Sequence, residues 1–199
     1  MVKADCGGCN GCSRCCHGMG NSIILDPYDV YRMTTGMGKS MQELLAASVE
    51  LNVVDGVILP NLKMQGTKEA CAYLDEEERC SIHPYRPGIC RLFPLGRYYE
   101  NGGFSYFLQT GECAKENRSK IKVSKWIDTP DLTRNQQFTL QWHDLLHAME
   151  ERLTGEDEGK QQEENLLLLR LFYLLPYKGT TDFYSQFMER MEYWNEQIR

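Results

Sequence analysis

The chain has 199 residues, 42% of them hydrophobic and 25% charged, which suits one compact unit or a small core with a helical appendage and excludes disordered and fibrous classes. Lys and Arg number 22 against 28 Asp and Glu, a net charge of −6, the wrong sign for holding nucleic acid by phosphate neutralisation. No nucleic-acid partner is expected.

Residues 6–21 read as loop, interrupted by Gly7, Gly8, Gly11, Gly18 and Gly20 without an apolar period. A short strand is expected at 22–25, ended by Asp26-Pro27, an N-cap followed by the first helical position of a helix over 27–35. Ser40 with Glu43 makes a capping box for a second helix over 41–49. The β-branched content of 53–64 predicts extended chain, and 97–109 a hairpin turning at Asn101-Gly102-Gly103. Residues 121–127 read as a short basic extended piece.

Three helices should follow. The first, 134–153, sets Phe138, Trp142, Leu145, Met149 and Leu153 at steps of three and four, with Thr133 and Gln136 as its cap. The acidic stretch 155–162 reads as a solvated loop, 162–175 as a buried central helix, and 182–198 as a helix with Phe183, Phe187, Met191, Trp194 and Ile198 on one face. The longest strongly apolar run, 166–175, is broken by Arg170 and stops at Pro176, well short of the roughly 20 residues that span a bilayer. No apolar stretch precedes the first cysteines, so no membrane contact and a cytoplasmic location are expected. The fold class expected is α+β and helix-dominated: a cysteine-rich, metal-stapled part over 1–115 with short strands and helices, then a C-terminal bundle of about three helices over 116–199 packed on it.

Nine cysteines stand out: Cys6, Cys9, Cys12, Cys15 and Cys16 in the first turns of chain, then Cys71, Cys80, Cys90 and Cys113. In a reducing compartment such a cluster points to metal ligation rather than to disulfides. The run C-x2-C-x2-C-x2-C-C overlaps several chelating knuckles, since two intervening residues let both thiolates face one point. Five thiolates from one short loop exceed what one tetrahedral ion takes, so remote thiols or a second centre are required.

The segments CNGCSRCC and R-P-x2-C-R-L-F-P, with C-x2-L and R-C-S-I between them, resemble the CxxCxxCC cysteine-cluster (YkgJ-like) family, described as zinc- or iron-chelating. The resemblance implies that Cys9, Cys12, Cys15, Cys16, Cys71, Cys80 and Cys90 are ligands, with Cys113 a further one and Cys6 an addition to the shortest form of the motif. Relatives include flagellin lysine N-methylases, whose cysteine-cluster domain is associated with an iron–sulfur centre and S-adenosylmethionine. No segment of this chain matches a methyl-donor pocket, so whether the chain is an enzyme stays open.

Zinc and iron–sulfur both fit thiolate spacing. Cys9-x2-Cys12-x2-Cys15 with remote Cys90 followed by Pro94 suits a [4Fe–4S] cubane with separated corner ligands, whereas Cys6/Cys9 with Cys12/Cys15 would supply two zinc knuckles. The iron–sulfur reading is preferred, because consecutive knuckles with remote single cysteines differ from a standard zinc ribbon. The function expected is a metal-binding protein with a redox, electron-transfer or accessory role toward a protein redox or modification partner. The alternatives are a zinc-stapled interaction module and a metal-dependent modification enzyme such as a protein lysine methyltransferase. Arg14, Arg86 and Arg91 lie inside the motifs, placed to balance thiolate charge and bond neighbouring groups, or simply to clamp the loop. His17 and His83 lie near the thiols as substitute ligands or bases. His143 and His147 lie on one helix face, but the segment reads His-Asp-Leu-Leu-His, without the glutamate of zinc metalloproteases, and is taken as ordinary helix surface.

Overall fold

The computed structural model describes residues 1–5, 7, 12–113, 115 and 117–198. Helix accounts for 46% and strand for 20%, a mixed architecture in which helix is the larger share. Among the described residues the strands form four separate antiparallel pairs rather than one sheet, and no helix is long and apolar enough to cross a membrane.

The first pair joins the two ends of the cysteine-bearing chain. β1 (Val2–Asp5) runs antiparallel to β8 (Ser119–Ile121), with Asp5 opposite Ser119. β8 leads directly into α4 (Val123–Ile127), so the expectation of extended chain through 127 is corrected. Here tertiary packing overrides a β-branched composition: Ile127 is buried against Leu92 and Leu95, and the Trp126 indole donates to the Leu92 and Phe93 carbonyls at 3.2 Å.

α1 (Pro27–Met37) begins at a reciprocal cap in which Asp26 accepts from the Asp29 backbone and Asp29 from that of Asp26. α2 (Met41–Ala47) carries the capping box of Ser40 and Glu43 but stops at Ala47, because Val49 opens β2 (Val49–Val54), which pairs with β3 (Val57–Leu62). The turn at Asp55 and Gly56 takes positive φ at both residues, the geometry of a tight hairpin. Residues 22–25 make a single bridge, Ile24 to Asn61, instead of the expected strand.

β4 (Met64–Gln65) and β5 (Ala70–Cys71) form a minimal ladder, β6 (Leu95–Glu100) and β7 (Gly103–Leu108) the expected hairpin, and α3 (Gly88–Leu92) lies between these pairs. α5 (Leu132–Leu153) is capped by Asp131, whose carboxylate accepts from Arg134 N, and not by Thr133. α6 (Glu158–Leu169) starts inside the stretch expected to be loop, because Asp157 accepts from Gly159 and Lys160 N and acidic side chains favour the positive end of the helix dipole. A π-helical turn, Arg170–Leu174, completes this helix, and α7 (Phe183–Gln197) follows with Asp182 as its cap.

One hydrophobic core takes side chains from both parts of the chain: Leu25, Val30, Met33, Leu44 and Leu62 pack with Phe138, Met149, Leu168, Phe172, Phe187 and Trp194. Tyr28 of α1 meets Phe183 of α7 edge-on at 5.0 Å. The central helix is less enclosed than its composition suggests, since Leu166 is exposed. It is anchored by Asn165, which accepts from Ile58 N at 2.6 Å and donates to the Gly56 and Gln161 carbonyls. Asn165→Ala removes the side-chain partner of the half-buried Ile58 N–H and of the Gly56 carbonyl and is expected to lower stability by about 1 kcal/mol, measured as a shift of the urea unfolding midpoint.

Candidate metal centre

Four short pieces of chain set thiols around one point in the fold. The 3-10 turn Arg14–Cys16 is tied to β5 by the His17–Ala70 bridge and by Gly18 N donating to the Glu69 carbonyl at 2.9 Å, which brings Cys15 and Cys16 beside Cys71. The turn that follows is closed by Asp75: its backbone N–H donates to the Arg79 carbonyl and its carboxylate accepts from Arg79 N, so that Leu74 pairs with Cys80. Cys90 sits in α3.

α3 is held against α1 by Asp29. This buried carboxylate accepts from Gly88 N at 2.6 Å and faces the Arg91 guanidinium at 3.9 Å. Burial and the neighbouring Asp26 carboxyl push the Asp29 carboxyl up to about 7, while Arg91 and the Gly88 N–H oppose them.

Cys15, Cys16, Cys71, Cys80 and Cys90 all line one cavity of about 60 Å³, space for several water-sized bodies. The remaining wall is mostly apolar, with Ile23, Leu62, Met64, Ile82 and Phe93 among its members, and Arg86 is the cation on it. Burial raises the Cys71, Cys80 and Cys90 thiols, most strongly Cys90. Cys15 differs: a hydrogen bond with Cys16 pulls it down to about 6, against the burial that would raise it, and Arg86 and His17 assist. The same bond pushes Cys16 up.

Cys12 and Cys113 are half-buried free thiols that do not line this cavity, and Cys6 and Cys9 lie outside the described residues. Arg14 is exposed on its turn. Arg91 turns toward Asp29, Thr129 and the Tyr28 ring, joining α3 to its neighbours. His17 and His83 stand beside the thiol segments but are not on the cavity wall. Sequence reasoning missed the apolar walls and the role of Asp29. The walls are drawn from scattered positions with no local pattern, whereas Asp29 carried a readable signal as the third residue of the helix begun by Asp26-Pro27.

Thiol donors around a small, largely apolar void, with one cation alongside, fit a thiophilic metal or an iron–sulfur group, because soft thiolates select such centres. Among the described residues no three or more His, Cys, Asp or Glu side chains already form a set that could hold a single ion. In metal-free protein the Cys15 thiolate is populated above about pH 6 while the other cavity thiols stay protonated. Iodoacetamide at pH 7 is therefore expected to label Cys15 first among the five, with its rate falling as the pH drops below about 6, read by peptide mass spectrometry.

Neither a curated protein nor a solved structure matches the chain. A family model does match, over residues 8–139, a span that includes every cavity thiol and about the first two turns of α5. By that match, the chain belongs to the CxxCxxCC family, whose description is "putative zinc- or iron-chelating domain".

Proposed function

We propose that the cavity thiols hold an iron–sulfur cluster and that the protein serves a redox partner as an electron carrier or accessory. The observation that carries this reading is the spread of the donors. A single tetrahedral zinc ion takes four thiolates at about 2.3 Å from one point, whereas five thiols drawn from four segments line one shared void here. Separated donors around a void suit a polynuclear centre, whose corners take ligands from different segments.

A cluster bound there supplies one-electron chemistry at a potential set by burial, net charge and hydrogen bonds to sulfur. The chain's own contribution is to position and insulate. Ile23, Leu62, Met64 and Phe93 keep water from the thiolates, and Arg86 places one positive charge beside donors that become anionic on ligation. The net charge of −6 favours encounter with a basic partner.

Protein purified without oxygen and without a metal-binding tag should contain iron and acid-labile sulfide in near-equal amounts and absorb visible light, bleaching reversibly on reduction. Cys71→Ser and Cys90→Ser should each lose most of the iron and the colour. Zinc without colour, or full iron retention in both variants, would overturn the reading. S-adenosylmethionine binding with stoichiometric affinity by a colourless protein would point instead to a modification enzyme.

A further inference from the structure

α5 carries a second group of metal-competent side chains, outside the family match and unused by the thiol cavity. His143 and His147 lie one turn apart on the same helix face, with ring centroids separated by 6.3 Å and side chains 36% and 57% exposed. The His143 ring is held by a carboxylate, its Nδ1 hydrogen-bonded to Asp144 Oδ1 at 3.3 Å, while Nδ1 of His147 lies 3.6 Å from Glu151 Oε1, near but outside hydrogen-bonding distance. At His143 that carboxylate keeps the hydrogen on Nδ1 and leaves the lone pair on Nε2, the arrangement that metal-bound histidines use. Tyr99 of β6 stacks on His143 at 3.8 Å with the planes 12° apart, which restrains that ring further.

We propose that His143 and His147 form a surface site for a divalent ion of the zinc class, bound through both Nε2 atoms, with Asp144 and Tyr99 as positioning residues. Imidazole favours zinc, copper and nickel over magnesium and calcium. A zinc–nitrogen bond of about 2.0–2.1 Å puts the ion roughly 3 Å from each ring centre. Two rings on one tetrahedral ion thus sit about 5 Å apart, over an ångström closer than the 6.3 Å between them here, a gap that rotation of the more exposed His147 would have to close. Water completes the coordination, since no set of three or more ligating side chains is formed among the described residues. With two protein ligands the ion exchanges readily. Asp144 follows the first histidine where a zinc protease has its glutamate, so the site binds without hydrolysing peptides.

The test uses the full chain as purified, titrated with zinc while the histidine side-chain 1H–15N spectrum, which reads these two rings apart from any thiol binding, is recorded. The Nε2 signals of His143 and His147 are expected to shift together along one saturation curve. His147→Gln should weaken the binding seen at His143 at least about tenfold, and Asp144→Asn, which keeps both ligands, by about tenfold. Unchanged backbone spectra would show that both variants remain folded. Separate saturation curves for the two histidines, unchanged affinity at His143 in His147→Gln, or no shift at millimolar zinc would overturn the proposal.

Discussion

The buried Asp29 carboxylate is the contact on which the thiol cavity depends. Its oxygens cap α1 and reach across to Gly88 N and Arg91, so one side chain fixes where α3 begins and therefore where Cys90 sits. A carboxylate out of water is tolerable when its lone pairs are met by donors, and here two backbone N–H groups and a guanidinium meet them. Arg91 in turn bonds Thr129 beyond α4. The cavity wall is thus continuous with polar ties that run through three helices rather than resting on loop geometry alone.

Around that tie the site divides its work between two kinds of residue. The thiols come from segments with little apolar content of their own, and each is held by a short backbone device: a 3-10 turn, a two-residue ladder, an Asp-closed turn or a one-turn helix. The apolar walls come from the main core, to which Ile23, Leu62 and Ile82 also belong. Burial resists charge on all five thiols, and the Cys15–Cys16 hydrogen bond overcomes it at Cys15 alone. Ligation is what would relieve that burial cost for the rest, because a thiolate bound to a metal is no longer a bare anion in an apolar wall.

Local signals in the sequence read well where physics is local. The Asp26-Pro27 start of α1, the Ser40 and Glu43 box, the Asn101-Gly102 turn and the aromatic face of α7 all express caps, turns and periodicity that neighbouring residues decide. Misreadings fall where distant contacts decide. Residues 123–127 look extended until Leu92 and Leu95 pack on Ile127, and Ser22 to Leu25 has strand composition but finds one partner residue. The acidic stretch that opens α6 is an exception of local origin, because charges that fit a solvated loop equally fit a helix start, and here Asp157 caps one. For the site, the cysteine spacing announced metal ligation, but which thiols share a cavity is set by backbone pairings across tens of residues, and spacing carries no trace of them.

The pairing of β1 with β8 encloses every cysteine of the chain, since all nine lie in sequence between Asp5 and Ser119. Topologically, the cysteine-bearing stretch is a ring shut by one small ladder, with the Ser119 hydroxyl on the Asp5 carboxylate as part of the latch. Ring closure restricts how far the thiol segments can separate, and the entropy lost in shutting so long a loop rises only slowly with its length. A modest clasp of three strand positions therefore raises the effective concentration of donors for one another, so that the first thiolates to capture a metal find the others within reach instead of dispersed along an open chain.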